Sequence, residues 1–576
     1  MNDSYRYEQL ARREIRLIHL YPRTENDGIR CTIERVSIDD NPPFEALSYT
    51  WGSAADKVPI EVGSDSLSVT RNLAAALHAL CPQTSQRTLW IDAICIDQTN
   101  AAERNHQVLF MKDIYKRAGQ VIVWLGDAGA DSDSLMDYLE TVDPDPSLAE
   151  HKDWVYSESW DWELCSPWKP PPVEQACIDD LLCRPWFSRV WIQQEAAVNA
   201  ATHVLCGSKQ ISWNQLFSLV WSYQKPSGEG FAKDALSNDA QASAVLVLTI
   251  QSYRYSDIPT LLLDILRDCT YCGATDPRDR IYAVQSLARD PDLEKLVLEP
   301  NYNHHVATVY TALAKRYLQV QGPFVLSWAG RNNQRFHELP SWAPDWTVKN
   351  IELPSIIFNA SGGTQGDCKI VSQNDVDALS TYGITVGSIS VINDIPAMDP
   401  YQSRLGEPDI FQSLRKHIKE CVSMVQLQTK RNGKNTNMQD LWRVLAVDST
   451  RSWTRLPAKY EDNLAAFPTW LDSHSQGSPL NIPGSYLEYL ETLNLRGVFI
   501  YRRFAIDSEG RMCLVPYSAK HGDLVAIITG LALPLVIRDT GKGAYEIIGE
   551  SYVHGCMDGE TIQRVGREGC QELVFC

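Results

Sequence analysis

Apolar and polar positions alternate over Glu14–Leu20 and Ile29–Ile38 in the manner of half-buried strands. After Pro42-Pro43, FEALSYTWG reads as a short strand entering a turn at Gly52. VPIEVGSDSLSVT predicts a hairpin with Gly63 in its turn, then a helix from about Arg71 to Leu80 that stops before Pro82. Leu89–Ile96 is mostly apolar, the pattern of a strand buried on both faces of a parallel sheet. Asn100 and Glu103 stand where an N-cap and its N3 partner would, and Val108, Met111, Tyr115 and Ala118 recur at helical spacing up to Gly119. With the apolar strand Val121–Leu125 this is a strand–helix–strand unit, whose crossover should be right-handed.

From Asp143 to Pro172 the pattern dissolves into Asp, Pro, Ser and Trp; Trp154, Trp160, Trp162 and Trp168 predict an insertion that docks. Helical character returns with VEQACIDDLLCR, followed by PWFSRVWIQQEAAVNA, the strand THVLCG and a helix opening at Ser212-Trp213. Residues 223–243 read as a polar linker, and Gln428–Asn437 as a second flexible segment. Helices are expected near Pro259–Cys269, Pro277–Ala288 and Val306–Val320, and strands in MCLVPY, DLVAIITG, LPLVIRD and YEIIGESYVHG. The expected organisation is an α/β parallel-sheet domain over 1–222, a mainly helical region over 244–350, and an α+β region over 351–576 that is β-rich from about 500. No internal repeat is visible.

Composition narrows the function classes. The 576 residues carry 53 Lys+Arg against 72 Asp+Glu, a formal net charge of −19, which argues against a nucleic-acid partner bound through its phosphates. Fifteen scattered cysteines are too sparse for a disulfide scaffold, and the N-terminus has no apolar signal core. The longest nearly apolar stretch, Leu524–Ile537, is too short for a bilayer and is broken by Gly530 and Pro534, so no membrane span is expected. A soluble, reduced, intracellular chain is the expectation.

The common catalytic signatures G-x-S-x-G, H-E-x-x-H and G-x-x-x-x-G-K-[ST] are all missing. Cys269 and Cys272 form a single C-x-x-C with no second pair to complete a tetrahedral zinc site, so no metal is expected and buried, idle thiols are the plainer reading. His304-His305 reads as a surface pair. Two places carry more. Asp97, Gln98 and Asn100 gather after the Leu89–Ile96 segment, where open parallel sheets bind ligands; the plainer reading is that Asp92 bonds neighbouring backbone and Asn100 only caps a helix. Trp191 and Glu195 are spaced i, i+4 on a predicted helix. They read either as a carboxylate beside an indole in a pocket, or as a core tryptophan with Glu195 paired to Arg189.

FEALSYTWG, LWIDAICIDQTNAAERNHQVLFMKDIYKRAGQVIVWLG and RPWFSRVWIQQEA resemble, in that order, the hallmark blocks of the fungal heterokaryon-incompatibility (HET) domain, with a core over 44–197. TDPRDRIYAVQSLA, LPSWAPDW and the last strands are similar to downstream segments of long HET-domain proteins. The resemblance implies a fungal, cytoplasmic factor in incompatibility and programmed cell death, with an unidentified incompatibility partner and self-assembly. It also implies a distant likeness to TIR domains, which are flavodoxin-like and in several cases cleave NAD with a glutamate in a W-x-x-x-E-like setting.

By that likeness Glu195 is the catalytic carboxylate and NAD the candidate substrate, with no cofactor. Tyr49, Trp51 and Trp191 wall the substrate, Asp97 and Gln98 line the strand end, and Arg184 and Arg189 meet phosphate. The rival reading is a non-enzymatic signalling module in which the same blocks are core and interface.

Overall fold

The computed structural model describes residues 5–22, 28–129, 132–144, 173–223, 236–255, 259–331, 336, 338–348, 353, 355–373, 376–393, 408–432, 438–449, 454–456 and 502–576. The four tryptophans expected to dock the insertion, and positions 224–235 of the polar linker, lie outside these residues. The chain divides into two compact units, Met1–His305 and Val306–Cys576.

In the first unit, β1 (Glu14–Leu20), β2 (Arg30–Ser37), β3 (Glu45–Tyr49), β4 (Lys57–Val62), β5 (Asp65–Thr70), β6 (Arg87–Trp90), β7 (Val121–Trp124), β8 (Thr202–Cys206) and β9 (Lys209–Ser212) form one sheet. Its order is β5-β4-β2-β1-β6-β3-β7-β8-β9. The centre, β6-β3-β7-β8, is parallel, while β1 runs antiparallel to both β2 and β6, and β8 to β9. Numbered by chain position, the four parallel strands read 2-1-3-4, an order whose direction of winding reverses beside β3. Burial follows from this layout: all of β7 and all but the first residue of β3 are buried.

Local chemistry explains the helices. Thr70 caps α1 (Arg71–Leu80) by accepting from Leu73 N, and Asn100 caps α3 (Ala101–Val108) by accepting from Ala102 N and Glu103 N. Glu103 does not close a capping box. Its carboxylate takes Asp97 N at 2.8 Å and the buried Arg16 at 2.5 Å. The expected single helix up to Ala118 is two helices: α3 ends before exposed Leu109, and α4 (Met111–Arg117) turns Met111, Ile114 and Tyr115 inward.

The expected strand Leu89–Ile96 is corrected more consequentially. β6 stops at Trp90, and Asp92–Cys95 is a single helical turn, α2, that keeps Ile94 and Cys95 buried. A short apolar run cannot distinguish a buried strand from a buried helical turn. The strand end therefore lies at Ile91-Asp92, and Asp97 and Gln98 sit beyond the turn.

The carboxyl ends of β3 and β7 are tied by one amide. Asn72 donates to Thr50 O at 2.5 Å and accepts from Trp124 Nε1 at 3.1 Å. Gly52 makes the turn over it with φ +77, where a side chain would be strained and a Cβ would stand 3.3 Å from Asn72 Cβ.

The second unit opens with the helix Val306–Gln321 and is β-rich. Its centre is the long β11 (Val376–Ile392), which pairs in turn with β10 (Cys368–Gln373), β12 (Arg502–Asp507), β14 (Leu524–Ile528) and β18 (Gln571–Phe575). β14, β15 (Leu535–Asp539), β16 (Tyr545–Glu550) and β18 return to β11, closing a five-stranded ring. Beside it, β12 pairs with β13 (Met512–Pro516) and β13 with β17 (Tyr552–Val553). Gln428–Asn432, expected to be flexible, instead belongs to the helix Pro408–Asn432, because Gln, Lys and Arg there are good helix formers with no glycine before Gly433. Among the described residues no helix is long and apolar enough to cross a membrane.

Candidate active site or signalling core

The W-x-x-x-E segment starts as a helix over Ile192–Ala197 that packs against β3 and β7. Glu195 is 1% exposed. Arg189 meets it with both guanidinium nitrogens at 3.2 Å, and Ser48 of β3 donates its hydroxyl to Oε2. Ser48 in turn accepts from Trp186 Nε1 at 2.8 Å, and Trp186 is buried edge-on against Phe187. The glutamate thus accepts three bonds from protein donors and is shut off from solvent. Arg189 keeps its charge because two carboxylates, Glu195 and Asp92, outweigh the burial that works against it, and its pKa ends above the usual value.

A more open group lies next to this pair. Asp92, at the carboxyl end of β6, is half-buried and accepts from the Trp51 indole at 2.8 Å; Trp51 itself is 42% exposed. Burial raises the Asp92 carboxyl to about 6, opposed by Arg189 and reinforced by Glu195. Tyr49 is buried with its hydroxyl lacking a partner among the described residues, as is the Thr50 hydroxyl oxygen. Burial and the nearby Asp92 both push the Tyr49 phenol well up, so it stays protonated and able to donate.

Glu195, Arg189 and Tyr49 come together with Asp92 and Trp51. The other expected residues go elsewhere. Trp191 donates to Asp279 at 3.2 Å, on a carboxyl that burial also raises to about 6 and that Tyr302 meets at 2.5 Å. Arg184 holds the loop after β7 through Asp127 O at 2.8 Å and pairs with Asp180. Asp97 accepts from Thr99 in a tight turn, and Gln98 donates to the Asp92 carbonyl at 2.9 Å. Sequence reading missed Ser48, Trp186 and Asp92 as members. Only Asp92 left a signal, as the first charged residue within an apolar run.

The raised carboxyl has a measurable consequence. An acid whose folded pKa lies above its unfolded value binds its proton more tightly when folded, so stability falls as pH rises between the two. For Asp92 that window runs from 3.8 to about 6. Asp92→Asn is expected to flatten the fall in the first unit's stability across it, read from urea midpoints at pH 4 and pH 7. An unchanged slope would show that Asp92 is solvated.

Comparison with known proteins fits this layout. Residues 44–195 match the model of the heterokaryon incompatibility protein (HET) family, and residues 480–571 match the Het-6 beta-barrel domain. Over 96% of this chain and 95% of the relative, the sequence is 24% identical to "Heterokaryon incompatibility protein 6, OR allele" of Neurospora crassa. No solved structure matches the chain. Within the first unit, residues 44–195 are thus similar to the HET family, and within the second, residues 480–571 to the Het-6 beta-barrel domain.

Proposed function

We propose that this chain acts in heterokaryon incompatibility, as a cytoplasmic factor whose engagement by an unlike partner ends in cell death. Similarity over 96% of the chain to a protein named for incompatibility supports this most directly. Its HET domain acts as a recognition and signalling module. In this role the W-x-x-x-E segment fixes the domain's interior: Glu195 is neutralised by Arg189, bonded by Ser48 and covered from solvent. A buried ion pair contributes geometric definition more than stability.

A second reading is favoured by the 2-1-3-4 strand order and by the open Trp51–Asp92 edge at the strand ends. There the domain hydrolyses NAD. Nicotinamide leaves a cationic ring as a neutral molecule, so no general acid is needed, and one carboxylate can stabilise the oxocarbenium-like ribose. Glu195 would reach that ribose only if Arg189 swung away to a phosphate. Self-assembly is the event that would drive the swing.

The test is nicotinamide release from NAD by the full chain, alone and at concentrations that drive self-association, for wild type, Glu195→Gln and Glu195→Ala. The signalling reading expects no release above a protein-free blank in any state. Release by wild type that drops roughly a hundredfold in both variants would establish the hydrolase instead. Equal, nonzero release by all three would remove Glu195 from the chemistry.

A further inference from the structure

Cys269 and Cys272 play no part in either reading of the HET site. Cys269 follows the helix Leu262–Asp268 and opens a 3-10 turn that Cys272 N closes onto Cys269 O at 3.0 Å. A turn of this kind holds its first and fourth Cα atoms within about 7 Å. Disulfides close over Cα separations of about 4.4–6.8 Å. The turn therefore brings the two thiols within reach of one another.

The pair is asymmetric. Cys272 Sγ also accepts from Gln193 Nε2 at 3.7 Å, and the Arg280 guanidinium sits on the Cys272 carbonyl at 2.9 Å. Donation from Cys269 first, then from Gln193, holds the Cys272 thiol below its usual range in spite of burial, whereas Cys269 is pushed well up. That is the arrangement of an attacking and a resolving cysteine. Both thiols are covered, yet Tyr271 between them is 63% exposed, so a small reagent needs only a local opening of this turn.

The next residue connects this turn to the HET interior. Gly273 N donates to Ser188 O, and Val190 N donates to Gly273 O at 3.0 Å. These two bonds bracket Arg189, the residue that neutralises Glu195. There is no slack at the join, because a Cβ on Gly273 would stand 3.2 Å from Ser188 O.

We propose that Cys269 and Cys272 are a thiol–disulfide site for small hydroperoxides, and that its oxidation shifts the backbone carrying Arg189. Cys272 gives its proton to water, its thiolate attacks the peroxide, and the O–O bond breaks; Cys272 becomes a sulfenic acid while the departing alkoxide, or hydroxide from hydrogen peroxide, takes up that proton and leaves as alcohol or water. The Cys269 sulfur then attacks the Cys272 sulfur, the S–O bond breaks, and hydroxide leaves with the Cys269 proton as water. Two thiols lose two electrons and the peroxide gains them. Bond formation draws the two sulfurs to about 2.05 Å, and the displacement is passed through Gly273 to both neighbours of Arg189. A dithiol reverses the step by exchange. The inference is independent of NAD hydrolysis.

The full chain is treated with hydrogen peroxide, its remaining thiols are alkylated, and it is digested with trypsin. The peptide Asp268–Arg278 holds these two cysteines and no others. It is expected two hydrogens lighter and unalkylated, and to regain both labels after a dithiol. Cys269→Ser should leave a sulfenic acid on Cys272 that dimedone traps, whereas Cys272→Ser should leave Cys269 a thiol. Hydrogen exchange of the amides from Arg189 to Gln193 should change on oxidation in wild type and not in Cys272→Ser. A peptide still doubly alkylated at a dose that oxidises exposed Cys183 overturns the site. Sulfenic acid on Cys269 overturns the assigned roles, and a disulfide that leaves exchange unaltered overturns the link to Arg189.

Discussion

Arg189→Met is expected to destabilise the first unit by about 3–5 kcal/mol at neutral pH, the usual cost of removing one partner from a buried ion pair. The arginine side chain is 18% exposed and the Glu195 side chain 2%, so the burden is unequal. Without Arg189 the glutamate keeps, among the described residues, only Ser48 as a donor, deep in the sheet. Without Glu195, by contrast, the guanidinium can turn toward water and Asp92, so Glu195→Leu should cost less. The double variant Arg189→Met with Glu195→Leu should recover much of the first loss, because an apolar pair often replaces a buried ion pair at little cost. Hydrogen exchange of β3 amides at Glu45–Tyr49 reports this unit alone. A loss below about 1 kcal/mol in Arg189→Met would mean that the pair is open in solution, and would move the balance toward NAD hydrolysis.

Arg502→Met should weaken the second unit by a similar amount, about 3–5 kcal/mol, but only at high pH. Arg502 and Glu550 are 5% and 3% exposed, 2.7 Å apart, and Leu353 N also donates to the carboxylate at 2.6 Å. Burial raises Glu550 from 4.5 to about 7 even with the arginine in place. The folded unit therefore binds that proton more tightly than the unfolded chain, and wild-type stability should fall as pH rises through this interval. At pH 5 the folded carboxyl is largely neutral, so loss of Arg502 costs mainly hydrogen bonds. At pH 8 the carboxyl must either stay a buried anion without its cation or take up a proton from a basic solution, and both cost stability. Exchange of β16 amides at the two pH values measures the contrast, and equal losses would show that Glu550 stays ionised throughout.

The parallel centre of the first unit was legible because the apolar run Val121–Leu125 follows the mostly apolar Leu89–Ile96 across a helix, and because the blocks resembling the HET domain are long. The turn Asp92–Cys95 was not, since Ile94 and Cys95 are as apolar as strand residues would be. That ambiguity left Asp92 as a backbone-bonding residue, which it is through Ala93 N, and directed attention for ligand binding to Asp97 and Gln98. The Arg189–Glu195 contact spans six residues and could be read as one of two alternatives from charge alone. Ser48 and Trp186 could not: they meet across 138 positions, and Ser48 meets Glu195 across 147, distances that only the folded sheet brings to zero. Arg184 looked like a phosphate ligand because a guanidinium in sequence carries no sign of the carbonyls it will meet, here Leu125 and Asp127.

The long strand β11 sets an order of events during synthesis. Its partner β18 lies between it and β16, and Ser380 of β11 donates to Glu572 of β18 across 192 residues. Until residues 571–575 have been made, β11 has an unfilled edge and the ring cannot close. The first sheet, in contrast, has all its strands once Ser212 has left the ribosome. For the time taken to translate the second half, a nascent chain carries a folded first unit joined to an open barrel.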